Sequence, residues 1–149
     1  MGNVYLAAKA LFDGLGIDYV IPPLNNKAAL EIGALYSPEE ICLPFKLMIG
    51  NYLQAIEQGA DTAVLTGSCG PCRFGEYSEL QMQIMKKLGY KLDFIVMDVL
   101  KDIGWEEFLS RVKKIAAYSN KPTSQKFKAL FLAFRVMNLI DEIEARAHY

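Results

Sequence analysis

The eleven residues Thr66-Gly67-Ser68-Cys69-Gly70-Pro71-Cys72-Arg73-Phe74-Gly75-Glu76 constrain this chain more than any other stretch. They place two thiols, three glycines and a proline between an apolar run and a helical pattern. Glycine lets backbone approach closely, proline stiffens a turn, and cysteine brings metal or redox chemistry. The run before it, Asp61 to Thr66, is apolar inside and polar only at its ends. It reads as a central parallel strand buried on both faces. Residues 76–88 carry apolar positions at helical spacing, so the loop is a strand-to-helix turn.

Elements on either side follow the same logic. Val4 to Gly14 has one apolar face and reads as a helix stopped by Gly14 and Gly16. Ile17 to Ile21 is β-branched and aromatic, bounded by Pro22-Pro23, and reads as a short strand. Asn25-Asn26 caps a helix to about Tyr36. Ser37-Pro38-Glu39-Glu40 is a capping box that starts a brief turn, and Pro44 breaks the chain at Cys42-Leu43 before a helix to Gln58. Leu92 to Met97 is a third strand, Gly104-Trp105 opens a helix to about Tyr118, and a last long helix runs from Ser124 to about Arg146.

Helices alternating with strands imply right-handed crossovers and a layered α/β fold. The expectation is one α/β lobe over residues 1–149, with a short parallel sheet and a C-terminal helix pair. The helices from about 105 to 147 then form an appendage or an interface to a second lobe. On the last helix, Phe127, Leu130, Phe131, Phe134 and Met137 give an apolar arc too wide for one small sheet to cover, and that arc is where a partner lobe packs.

Composition narrows the function. A net charge of −1 leaves no electrostatic footprint for nucleic acid, and no polybasic run suits an anionic membrane. Lys128 and Arg135 interrupt the most apolar segment, so no span is expected. Without a leader pattern the expected location is the cytoplasm. Three cysteines, an odd number, suit reduced thiols or metal ligands better than a secreted disulfide framework.

Topology draws the thiols together. A helix before a parallel strand runs back along it, so Cys42, at the start of its helix, meets the strand edge that carries Cys69 and Cys72. Carboxyl ends of strands are where open α/β sheets place their sites, and helix N-termini favour thiolates. The single histidine, His148, reads as a frayed end, which leaves a zinc site one ligand short. Soft thiolates in this number suit an iron-sulfur cluster with Cys42, Cys69 and Cys72 as ligands. Around them, Arg73 balances between a cluster counter-charge and a surface residue. Lys46, Glu39, Glu40, Phe74 and Tyr77 read as surface charges and core aromatics.

The run Ser37-Pro38-Glu39-Glu40-Ile41-Cys42-Leu43-Pro44-Phe45-Lys46, followed by Gly70-Pro71-Cys72-Arg73-Phe74-Gly75, resembles the 2-hydroxyacyl-CoA dehydratase (2-hydroxyglutaryl-CoA dehydratase) D-component family, in its activase-associated branch. Asn25-Asn26-Lys27 and Gly33 fit the same pattern, and the resemblance runs from about Gly2 to the final helix. It implies Rossmann-like or flavodoxin-like lobes of three layers that hold a 4Fe-4S or related cluster. It implies an ATP-dependent activator protein that delivers a low-potential electron, and a CoA thioester that loses water in a lyase reaction. Cys42 and Cys72 carry over as ligands, whereas Cys69 lies outside the Gly-Pro-Cys-Arg-Phe-Gly core. Relatives have a preceding strand and a second lobe, so the chain reads as a one-lobe member or a fragment, with a homo- or hetero-oligomer partner completing the site.

Two other classes stay open on the residues alone. Cys69-Gly70-Pro71-Cys72 is also the thioredoxin tetrapeptide, and a thiol-disulfide oxidoreductase would use that pair. No tryptophan precedes Cys69, however, and Cys42 has no part in that chemistry. A non-catalytic interaction module with structural cysteines, or with zinc and an exogenous ligand, is the third class.

Overall fold

A computed structural model describes residues 3, 5–67, 77–97 and 100–147. In chain order these form α1 (Tyr5–Leu15), α2 (Lys27–Tyr36), α3 (Leu43–Glu57), β1 (Thr62–Thr66), α4 (Tyr77–Lys87), β2 (Asp93–Met97), α5 (Leu100–Ala117) and α6 (Thr123–Ala147). They divide into two compact units: residues 1–19 with 113–149, and residues 20–112.

The unit of residues 20–112 is built on α2 and α3, with the sheet and α4. Asn26 caps α2 by accepting a 2.8 Å hydrogen bond from Ala29 N–H, which satisfies one of the helix's orphan donors. α2 and α3 then approach backbone to backbone. A Cβ at Gly33 would overlap the Lys46 carbonyl, and one at Gly50 would overlap the Ala29 carbonyl. Phe45, Ile49 and Leu53 project from α3 at four-residue spacing and bury against Met85 of α4. Gln81, buried in this core, accepts from the Tyr52 hydroxyl at 3.0 Å and donates toward Met48 Sδ, so its amide is not stranded.

β1 and β2 pair in parallel, with Thr62 opposite Asp93 and Thr66 opposite Met97. Here the structure departs from the expected three-layer Rossmann-like or flavodoxin-like lobe. Among the described residues the sheet has only these two strands, and helices dominate the chain. Residues 17–21 form no strand: among the described residues no strand pairs with them, and β-branched and aromatic residues make a strand only where a neighbour completes the ladder. β1 is therefore not a central strand buried on both faces: Val64 is 42% exposed. The sheet serves as a small floor beneath α3 and α4, and the Arg111 guanidinium of α5 donates to the Val96 carbonyl on β2.

α5 contains a break at Gly104, whose φ of 74° and ψ of 167° lie outside helical values. Only glycine adopts that conformation without strain, so the helix expected to open at Gly104-Trp105 does restart there. The capping box expected at Ser37 does not form. Ser37 instead ends α2, and its hydroxyl is buried without a hydrogen-bond partner.

The other unit is an antiparallel pair of α1 and α6, with the end of α5. Gly14, expected to stop α1, lies inside it and acts as a packing residue: a Cβ there would come within 2.6 Å of Ala129 Cβ. Ala7, Ala129 and Ala133 are buried, so small side chains set the close approach. Lys126 Nζ donates to the carbonyls of Ala116 at 2.8 Å and Ser119 at 3.0 Å, completing the C-terminus of α5. At the far end Asn3 Nδ2 donates to Glu144 at 3.0 Å.

Candidate functional site

Cys42 occupies the N-cap of α3, with φ −65° and ψ 154°, and Pro44 follows in the first turn. Proline there costs no hydrogen bond and pre-sets the helical φ, which is why the helix starts where the sequence pattern placed it. Phe45 N–H closes the first turn onto the Cys42 carbonyl at 3.1 Å. Before it, Pro38 to Ile41 form a turn closed by Ile41 N–H on the Pro38 carbonyl at 3.3 Å. Lys46 Nζ reaches back to the Glu39 carbonyl at 3.0 Å. That contact gives Lys46 a structural task beyond surface solvation: it ties the turn to the helix that displays the thiol.

The Cys42 side chain is exposed and unbridged. Its Sγ lies 3.2 Å from the Tyr77 hydroxyl, in hydrogen-bond contact. Tyr77 is the first residue of α4, and its ring meets the buried Phe45 ring edge to face, with centroids 4.9 Å apart and planes at 87°. Phe45 thus fixes the phenol, and the phenol meets the thiol. The Tyr77 hydroxyl holds the Cys42 pKa below the ordinary thiol value. Partial desolvation opposes this, and the backbone N–H groups of Phe45 and Cys42 add to it.

The loop with Cys69 and Cys72, together with Arg73 and Phe74, lies outside the described residues, as does His148. Both ends of that loop are described. At one, Gly67 N–H continues the ladder by donating to the Met97 carbonyl at 3.0 Å. At the other stands Tyr77, in contact with Cys42. Among the described residues no three histidine, cysteine or carboxylate side chains come together, since Cys42 is the one cysteine among them.

Tyr77 is the contact to the candidate thiol that sequence reasoning missed, having read it as a core aromatic. Its ring is in the core, but its hydroxyl is on the sulfur. The available signal was its position at the start of the helix that follows the cysteine loop. Beside the site, an open groove of about 470 Å³ runs between the end of α2 and α4, lined by Leu35, Tyr36, Ser37, Pro38, Leu80, Ile84 and Leu88, with Lys87 supplying charge. Among the described residues no helix is long and apolar enough to cross a membrane. Comparison with protein families, with curated proteins and with solved structures finds no match to this chain.

Proposed function

We propose that the chain holds a thiolate-ligated iron-sulfur cluster, 4Fe-4S or a related type, through Cys42, Cys72 and Cys69. In this reading it accepts low-potential electrons from an ATP-dependent activator for chemistry on a CoA thioester or another small substrate. The observation that carries the reading is the Cys42 sulfur. It is exposed, its thiolate is favoured by the Tyr77 hydroxyl, and it stands against the first residue after the loop that carries the other two thiols.

The donor set fits such a group. Cluster irons take soft thiolates, and a thiol poised toward its anion needs less proton removal at neutral pH. When bound, the cluster supplies a one-electron carrier. The protein's own part is to hold the Cys42 sulfur through α3, to keep it in hydrogen-bond contact with the Tyr77 hydroxyl, and to brace the preceding turn through Lys46.

The test is iron and acid-labile sulfide, with a visible spectrum, on protein purified without oxygen. Wild type is expected to be brown and Cys42→Ser colourless. An unchanged spectrum in Cys42→Ser removes Cys42 from the ligand set. Reduction of a model disulfide that survives Cys42→Ser and is lost in Cys69→Ser would replace the cluster with dithiol chemistry.

A further inference from the structure

The C-terminal helix presents a second feature, independent of the cysteines. Ala129 and Ala133 of α6 are buried in its own unit, where Gly14 of α1 meets Ala129. At 3.6 residues per turn, Phe127, Phe131 and Phe134 fall on the side of α6 turned away from those alanines, with Leu130 and Met137 along its edge. They are exposed: Phe127 by 68% and Phe131 by 65%. The three phenylalanines bury roughly 150–250 Å² each in full, and about three-fifths of that is still exposed, so with Leu130 and Met137 the stripe offers on the order of 500 Å² of apolar surface. That is at the upper end of the largest patch on an ordinary monomer.

The charge pattern of α6 says what covers it. Its first half carries Lys126 and Lys128 and no acid, while its second half carries Asp141, Glu142 and Glu144 against Arg146. The helix is therefore complementary to itself only when reversed. A two-fold axis near Leu132 lays Met137 over Phe127 of the other copy and Phe134 over its Leu130. The same axis brings Asp141 level with the other copy's Thr123, at a helix N-terminus that follows Lys121, where an anion is favoured. Parallel pairing would instead stack Asp141 and Glu142 on their equivalents, which is unfavourable.

We propose that this stripe is the seam of an antiparallel, two-fold dimer with a second copy of the chain. Two stripes face to face bury about 1,000 Å², the lower size of a specific interface and the range of dimers that dissociate on dilution.

Sedimentation velocity on the full chain tests this. Wild type is expected at twice the chain mass, falling to the single mass on dilution. The double variant Phe131→Glu with Phe134→Glu is expected at the single mass, with its far-ultraviolet circular dichroism unchanged. Asp141→Lys leaves the apolar seam intact. It is expected to weaken the dimer several-fold at low salt and to reduce its salt dependence. A wild-type chain that stays monomeric at every accessible concentration overturns the proposal, and so does a dimer indifferent to all three substitutions. A monomer that co-floats with lipid vesicles, or that sediments with an unrelated protein instead of itself, overturns it in favour of that other partner.

Discussion

The Cys42–Tyr77 contact decides how the thiol behaves. The neutral Cys42 thiol donates to the Tyr77 hydroxyl, and on ionisation the phenol turns to donate to the sulfur, which stabilises the thiolate and lowers the pKa; partial desolvation acts in the opposite sense. Removing the hydroxyl leaves desolvation opposed only by the backbone N–H groups, and the pKa must rise. In cluster-free, reduced protein, Tyr77→Phe is therefore expected to move the pH midpoint of Cys42 alkylation upward, with slower labelling at neutral pH. Mass spectrometry of the Cys42 peptide across a pH series reads it directly. A midpoint that stays put would mean that the helix N-terminus, not Tyr77, sets the thiol. The edge-to-face contact with Phe45 is made by the ring, so the phenylalanine variant retains it and the measurement isolates the hydroxyl.

Close helix contact is the corresponding device at the level of elements. Gly33 and Gly50 sit where α2 and α3 touch through backbone, and in each case the obstacle to a Cβ is a carbonyl that cannot rotate away. Gly33→Ala or Gly50→Ala must push the helices apart, at a cost of about 3 kcal/mol, the upper range for overpacking a tight contact. Urea unfolding measures it, as a lower midpoint at unchanged slope. In an exposed helix interior the same change stabilises by up to about 1 kcal/mol, so the sign alone separates a packing glycine from an incidental one. These helices were legible beforehand because their signals are local: Asn26 before α2, Pro44 in the first turn of α3, and glycines after α1, α3 and α4. What was not legible depends on distant partners. β-Branched and aromatic residues at Ile17 to Ile21 describe a strand only if a neighbour accepts its ladder, and among the described residues no strand pairs with it. An apolar run such as β1 likewise cannot state how many strands flank it, so a two-stranded floor was read as the centre of a layered sheet. The Cys42 site divides the same way: its helix-start position was local and readable, but the Tyr77 hydroxyl reaches it from 35 residues away.

For the molecule as a whole, the cysteines matter through what they would connect. Cys42 begins α3, and the loop from Gly67 to Tyr77 joins the end of β1 to the start of α4, so a group ligated by Cys42 and Cys72 would cross-link three elements of one unit. The core beneath them, Phe45, Ile49, Leu53 and Met85, is small, and a two-stranded sheet adds little stability of its own. A ligand that binds the folded chain alone stabilises it by mass action, and closing a chain segment of about thirty residues removes unfolded-state entropy worth roughly 3–4 kcal/mol. The reconstituted protein, kept free of oxygen, is therefore expected to melt well above the same protein after chelation and air exposure. Cys42→Ser should melt at the lower temperature under both conditions. Circular dichroism at the helix band follows all four samples. If wild type melts identically with and without the bound group, the thiols do not staple the unit, and the group is held at one edge without sharing in the fold. If Cys42→Ser still gains stability on reconstitution, ligation runs through other residues, and the role of Cys42 contracts to that of a poised surface thiol.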